Sequence, residues 1–486
     1  MSGKLVAILI VLGACGLAYG VRRSTHITHP APTRTTPATA TPSLPTADAA
    51  GPLGDVEFPK DFFFGTASSD FQTTGGNGAS DWVGHIATFK PPQVGPGVGS
   101  DFLHHYTEDF DQAREIGIQM HRISLEWARL EPHEGQWDWQ AVEQYRRIFR
   151  ALKRRGIEPM ICLNHFTLPA WFAEKGGWSS PDAARYYGRY ARFVATTIGA
   201  PLGIRWWLTF NEPQITLKEA YIMGAAPPYF ALKGIRDEEG VRALIRASTN
   251  LVDSHRAAYQ QIHRTIPRAN VGWASWAMPF YPYNPEEPLD TLAASLYGTL
   301  ATTMLDELTG RYKDFIGLNY YGRARLKLYV NRTFLSVNHE KPVTIGWENP
   351  TPEELHGRPN EFYPQALYDL IIKFKGTGLP IIITENGSSP DEDRFREEFL
   401  VIHLKAVHDA IAAGAPVIGY MYWTLSDTWE WGGGFSHFGL LNVDRDHNYA
   451  RSRRPVAQTY HQIIKTHTLS RELLEKHHEL LSGTRP

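Results

Sequence analysis

After Phe62 the chain alternates short β-prone apolar runs with longer amphipathic stretches, and this alternation most narrows what it can fold into. Strands are predicted over Phe62–Ser68, Met120–Trp127, Pro159–Phe166, Trp206–Phe210, Asn270–Trp276, Asp314–Tyr321, Pro380–Thr384 and Val417–Thr424. Several are apolar without interruption, as in Ile381-Ile382-Ile383, which suits parallel strands covered on both faces. The stretches between them carry helix signals. Ala141–Arg155 ends in a basic turn before Gly156, and Arg394–Ala413 is closed by Gly414. Strand and helix alternating eight times predicts an α/β fold, a single (β/α)8 TIM barrel, over residues 55–465, with a helical tail over 466–486. In such a barrel the active site lies at the C-terminal ends of the strands.

A formal net charge of −2 gives no electrostatic case for nucleic acid, whose binders carry a clear basic excess. Aromatics are abundant, with 14 Trp, 22 Tyr and 23 Phe; Trp faces stack well on sugars, although buried core aromatics are the commoner source of a high count. The two cysteines stand in unlike settings: Cys15 in the N-terminal apolar run, Cys162 in a predicted strand. No internal disulfide is expected from them. His104-His105 and His477-His478 lack metal-ligand spacing, so neither a metal nor a cofactor is expected.

The front of the chain does not belong to the barrel. Residues 1–22 hold an apolar run from Leu5 to Gly20, near the lower limit for a spanning helix, followed by Arg22 and Arg23. Three readings stand open. The run is an uncleaved single-segment anchor stopped by the arginines, a secretion signal cut after Ala18-Tyr19-Gly20, or a lipoprotein signal placing a lipid on Cys15. All three bring the protein to a membrane through this segment. Arg22 and Arg23 favour a cytoplasmic barrel by the positive-inside rule, but Lys4 and the amino terminus offset them, leaving the side open. Residues 23–54 are dominated by Thr, Pro and Ala, cannot bury enough apolar surface to offset ordering entropy, and read as a semi-stiff disordered tether.

The chemistry is found at two strand ends. Thr209-Phe210-Asn211-Glu212-Pro213 follows the fourth predicted strand, and Thr384-Glu385-Asn386-Gly387 the seventh. One glutamate after a strand is more often a solvated charge. Two at one barrel rim, each beside an amide, form the carboxyl pair that glycoside hydrolysis requires. These motifs, in this order and separation, resemble the two active-site motifs of glycoside hydrolase family 1, and the likeness extends over about residues 57–465. The resemblance implies a (β/α)8 barrel and a retaining β-glucosidase or β-galactosidase, with Glu212 as acid/base and Glu385 as nucleophile.

Further positions carry over singly. Gln72, His165 and Asn211 correspond to residues that bind sugar hydroxyls, Asn211 at the 2-hydroxyl. Arg122 corresponds to the arginine that salt-bridges the nucleophile, although a purely structural ion pair is its plainer reading. Tyr321 corresponds to the phenol that hydrogen-bonds the nucleophile. In Trp423-Thr424-Leu425-Ser426-Asp427-Thr428-Trp429-Glu430-Trp431, Trp423 corresponds to a stacking floor, while Glu430 and Trp431 correspond to groups that bond outer hydroxyls. The chain departs from the family pattern at Thr74, Phe166, Thr428 and Gln365, where Glu, Trp, Asn and Glu are usual. These changes bear on sugar preference and leave the carboxyl pair intact.

Three functions follow. The first is hydrolysis of small β-glycosides. The second is transfer between glycolipid headgroups, because Asp314–Gly322, Leu379–Ser388 and Gly439–Tyr449 are similar to the family's membrane-anchored galactolipid branch. The third, an inactive sugar-binding module, is disfavoured because both carboxyls are present. Oligomeric state is not readable. Because the tether supplies no core, deleting residues 1–54 is expected to leave a folded domain active on soluble nitrophenyl glycosides. Circular dichroism and turnover of the truncated protein check this, and loss of folding would show that the segment packs on the barrel.

Overall fold

In the computed structural model the chain is described from residue 54 to residue 477, apart from 77, 92, 234–236, 331–342, 352–354, 356–357 and 359–360. The apolar run and nearly all of the tether lie outside the described residues, as do 478–486 of the predicted tail. Among the described residues no helix is long and apolar enough to cross a membrane.

Eight parallel strands close into a barrel: β1 (Phe63–Ser68), β2 (Met120–Ser124), β3 (Glu158–Cys162), β4 (Trp206–Asn211), β5 (Asn270–Trp276), β6 (Ile316–Asn319), β7 (Ile381–Asn386) and β8 (Val417–Trp423). Each pairs with its neighbour in sequence, and β8 pairs with β1 to complete the ring. The isoleucine run of β7 shows why such strands are apolar throughout. Ile382 points into the barrel with Met120, Met160, Leu208 and Met421, while Ile381 and Ile383 pack outward beneath the helices. Both faces of a pleated strand are dry here, so period-two alternation vanishes. Large and small side chains alternate inside, as packing to crystal-like density demands. A Cβ on Gly419 would lie 2.2 Å from the Phe63 ring, so only glycine leaves that ring its place.

The helices form the outer layer. Trp139–Arg154 begins where the Asp138 carboxylate accepts from the amides of Gln140 and Ala141, and it buries Val142, Tyr145, Ile148, Phe149 and Leu152 on one face. Each such side chain contributes about 1.5–3 kcal/mol by leaving water. The predicted strands at 120–127, 159–166 and 314–321 ran too long. The real ones stop at Ser124, Cys162 and Asn319, because the chain there turns out of the barrel, with Phe166 in the left-handed region at φ 73°. Conversely, β4 and β7 run on to Asn211 and Asn386, so Asn211 and Glu385 are strand residues themselves.

Two additions surround the barrel. At the strand C-terminal end, Phe280–Pro282, Ala324–Val330 and Val343–Glu348 form a three-stranded sheet, on which helix Pro288–Gly298 packs. At the opposite end, Val56–Glu57 pairs with Thr468–Leu469, followed by a short helix, Arg471–Lys476, whose first turn is capped by Ser470. A buried ion pair joins the hairpin Leu441–Asp444/Ala450–Arg453 to helix Phe102–Ile116. Arg451 donates to Asp109 at 2.8 Å and to the Ser100 carbonyl at 2.8 Å, with both side chains fully buried. Arg451→Met would strand the Asp109 carboxyl in the interior and is expected to lower stability by about 3–5 kcal/mol. Removing the exposed Arg185–Asp182 pair should leave stability nearly unchanged. Urea unfolding midpoints of the two variants compare them directly.

Candidate active site

The mouth of the barrel is built from strand ends. β4 finishes at Asn211, and Glu212 turns the chain sharply, at φ 45° and ψ 60°, before Pro213 opens helix Pro213–Thr216. A non-glycine residue in that region costs about 1–3 kcal/mol, so the surrounding structure must hold it there. It does so partly through the Glu212 amide, which donates to the Ala274 carbonyl of β5 at 2.8 Å. The Glu212 carboxyl accepts from the Asn319 side-chain amide at 2.9 Å and is nearly buried.

Glu385, in β7, is held quite differently. Arg122 of β2 donates from its Nη2 to Oε1, and the Tyr321 phenol donates to Oε2 at 2.6 Å. Arg122 is fully buried, and its other terminal nitrogen donates to Asn211 Oδ1 at 3.1 Å. Burial and the neighbouring Glu385 charge keep the Tyr321 phenol protonated far past its ordinary range, so it serves as a donor.

Electrostatics separates the two carboxyls. Burial, and then the charge of Glu385, push the Glu212 carboxyl up to about 8. The Asn319 hydrogen bond and Arg122 act in the opposite direction but do not prevail. Glu212 is therefore a protonated acid at neutral pH, facing a carboxylate that accepts from a guanidinium. A protonated carboxyl facing one that is ion-paired to a guanidinium can give and take a proton at a bridging oxygen.

Around this pair lies a polar and aromatic shell. Asn211 Nδ2 lies 3.3 Å from His165 Nε2, and Asn319 bonds Asn211 and receives the Thr384 hydroxyl at 2.7 Å. Burial, reinforced by Arg122, holds His165 well below its ordinary pKa, so the imidazole is neutral. Gln72 donates to the Trp429 carbonyl at 2.7 Å, and its Oε1, like His165 Nδ1, has no hydrogen-bond partner among the described residues. Buried amide and imidazole atoms of this kind suit the hydroxyls of a polyol ligand. The His165 ring lies parallel to both Trp423 and Trp431, 5.8 and 5.9 Å away, and Trp431 stacks on Phe71. Trp423 donates to Glu430 at 3.2 Å, and burial raises the Glu430 carboxyl to about 8.

Thus the residues named from sequence (Glu212, Glu385, Arg122, Tyr321, Gln72, His165, Asn211, Trp423, Glu430 and Trp431) share one mouth and are linked by direct contacts. Asn319 and Thr384 were given no role there. Asn319 is the last residue of β6 and the hub that bonds Asn211, Glu212 and Thr384; a polar residue ending the apolar run Ile316-Gly317-Leu318 was the available signal. Of the departures from the family pattern, Thr74 donates to Asp70 and accepts from Arg129, Phe166 lies edge-on to Trp431, Thr428 is fully buried, and Gln365 donates to Asp369. Among the described residues no cluster of His, Cys, Asp or Glu is arranged to hold a metal ion.

The family model for glycosyl hydrolase family 1 matches residues 55–313 and 300–469. Among curated proteins, the chain is 30% identical over 376 residues to the chloroplastic galactolipid galactosyltransferase SFR2 of Arabidopsis thaliana, covering 74% of this chain and 57% of that one. It is 29% identical over 459 residues to beta-glucosidase A of Acetivibrio thermocellus, covering 85% and 99%. The chain thus spans little more than half the length of the plant relative and nearly all of the bacterial one. The solved structure of a beta-glycosidase from Pyrococcus horikoshii superposes with a TM-score of 0.76 at 29% identity, covering 87% of this chain and 98% of that one. With barrel, carboxyl pair and a match over most of its length in agreement, the chain belongs to glycosyl hydrolase family 1.

Proposed function

We propose that this protein is a glycosidase that cleaves β-glucosides or β-galactosides by double displacement, with Glu385 as nucleophile and Glu212 as acid and base. The observation that carries the reading is the unequal treatment of the two carboxyls: Glu212 is bonded only to an amide and pushed up to about 8, whereas Glu385 accepts from both Arg122 and Tyr321. Glu385 attacks the anomeric carbon while the Glu212 proton passes to the glycosidic oxygen, so the leaving group departs as an alcohol. Glu212, now a carboxylate, takes a proton from the incoming hydroxyl, which displaces Glu385 and restores the starting state. In this reading Asn211 bonds the 2-hydroxyl, Gln72 and His165 bond other hydroxyls of the cleaved sugar, and Glu430 and Trp431 bond the outer ones.

A second reading is transfer of the glycosyl group to a glycolipid headgroup. The likeness to a galactolipid galactosyltransferase favours it, as does the apolar loop Ala225-Ala226-Pro227-Pro228-Tyr229-Phe230 after β4, in which Tyr229 is 47% exposed. The intermediate on Glu385 is common to both fates, and the hydroxyl that reaches it decides between them.

Glu385→Gln is expected to lower kcat on nitrophenyl glycosides by at least about 10³-fold, as removal of a nucleophile does. Near-normal turnover would require the roles to be reassigned. Glu212→Gln should cost about 10²–10⁴-fold on alkyl glycosides, less on dinitrophenyl glycosides whose leaving group needs no proton, and abolish the basic limb of kcat/KM near pH 8. Asn319 supports the charged form of Glu212, so Asn319→Ala should move that limb upward, by about one pH unit for a bond of ordinary strength. A downward move would show that Asn319 acts in some other way. For transfer, labelled monogalactosyl lipid in vesicles with the full chain should yield digalactosyl lipid; free galactose alone at every lipid concentration would leave hydrolysis as the sole activity.

A further inference from the structure

Helix Pro288–Gly298 is amphipathic in the reverse sense. It packs inward on Asp290, Ala293 and Ala294, while Leu289, Leu292 and Leu296 stand outward at 40%, 52% and 49% exposure. Spaced three and four residues apart, they form one apolar stripe along the helix, and no charged residue occurs from Thr291 through Leu305. A helix that turns alanines to the protein and leucines outward is shaped for a second apolar medium. Its border is of the kind found where protein meets lipid headgroups. Tyr283 is 44% exposed, and Arg325 and Lys327 stand over its ring at 5.9 and 4.9 Å.

The position of this helix is informative. It lies in the excursion that leaves β5 and returns to β6, on the mouth side of the barrel. Aromatic contacts run from Trp276 at the end of β5 through Phe280 to Tyr297 on the helix, at 6.1 and 4.8 Å. The chain, by contrast, enters the barrel at the opposite end, where Val56–Glu57 pairs with Thr468–Leu469. A short link from the apolar run Leu5–Gly20 would therefore hold the mouth away from a membrane. Residues 21–53 instead supply Pro/Thr/Ala-rich chain that can reach about 100 Å, enough to pass round a barrel and let its mouth face the surface.

We propose that the Leu289/Leu292/Leu296 face of this helix seats in the headgroup region of a lipid bilayer and presents the barrel mouth to glycosides displayed on that surface. This deepens the glycolipid reading above and rests on it for substrate class, whereas seating itself is measured without turnover. The test uses the full chain with Cys15→Ser and a polarity-sensitive fluorophore on Leu292→Cys; Cys162 is buried. The protein is reconstituted on vesicles of phosphatidylcholine with 30% phosphatidylglycerol. Emission should shift to the blue and be quenched by brominated lipid, while the same fluorophore on Arg154→Cys, exposed on a helix of the outer layer, should do neither. Equal water exposure at the two sites overturns the proposal. So does a shift that needs no lipid and grows with protein concentration, which would assign the face to a second copy of the chain. In parallel, Leu289→Glu/Leu292→Glu/Leu296→Glu in the unlabelled full chain should keep nitrophenyl glycoside turnover within twofold, proving a folded site, and lose at least tenfold on glycolipid in vesicles. If the unsubstituted chain quenches normally yet never acts on glycolipid, seating stands and the glycolipid substrate is withdrawn. If glycolipid turnover survives all three substitutions, seating has no part in delivering substrate.

Discussion

A fully buried guanidinium at the centre of a closed barrel needs partners for its charge, and the arrangement of the mouth follows from those that the terminal nitrogens of Arg122 find. Its terminal nitrogens engage Glu385 on one side and Asn211 on the other, which ties β2 to β7 and to β4. Because Asn211 Oδ1 is taken up by Arg122 and Asn319, its amide nitrogen is left for His165. Burial first, and then the charge of Glu385, make the next carboxyl in the mouth, Glu212, hold its proton. Removing one member of such a set leaves the rest as uncompensated buried charge, which is far costlier than forgoing the set altogether.

Of the four departures from the family pattern, Thr74 and Gln365 bond residues outside the carboxyl pair. Phe166 supplies an edge to Trp431, and Thr428 lies wholly buried near the wall, while Glu212 and Glu385 keep their full sets of partners. In the function proposed above, chemistry and specificity are divided between different layers of the barrel. The innermost layer constrains what bond is broken, and the outer loops constrain which sugar and which acceptor are admitted.

Much of this was readable in advance, for definable reasons. A strand dry on both faces announces itself as an unbroken apolar run, so Ile381-Ile382-Ile383 located β7 and with it Glu385. Strand ends were harder, because residues such as Leu125 and Tyr321 are as apolar or aromatic as those inside the ladder, and only the hydrogen bonds reveal where pairing stops. The sheet formed by Phe280–Pro282, Ala324–Val330 and Val343–Glu348 was not anticipated, although Ala324-Arg325-Leu326-Lys327-Leu328 alternates apolar and charged residues, because that stretch follows closely on the sixth barrel strand and reads as part of the crossover. Asn319 escaped notice because its importance lies in three partners distant in sequence. Helix Pro288–Gly298 marks a deeper limit. Periodicity reveals an apolar stripe but not its orientation, and here alanines, with less surface to hide, occupy the inside.

The pairing of β8 with β1 has a consequence for how the molecule is made. Phe63 and Gly419 are neighbours in the ladder, and Val56 meets Leu469 just beyond it, so segments near the two ends of the described chain depend on each other. A ribosome adding about 5–20 residues per second needs on the order of 20–80 s to deliver the second partner after the first. Throughout that interval β1 exposes an unpaired edge carrying Phe63 and Phe64. During synthesis the nascent barrel is thus an open, adhesive sheet, and its early strands depend on chaperones or on rapid coverage by their own helices until the chain is almost complete.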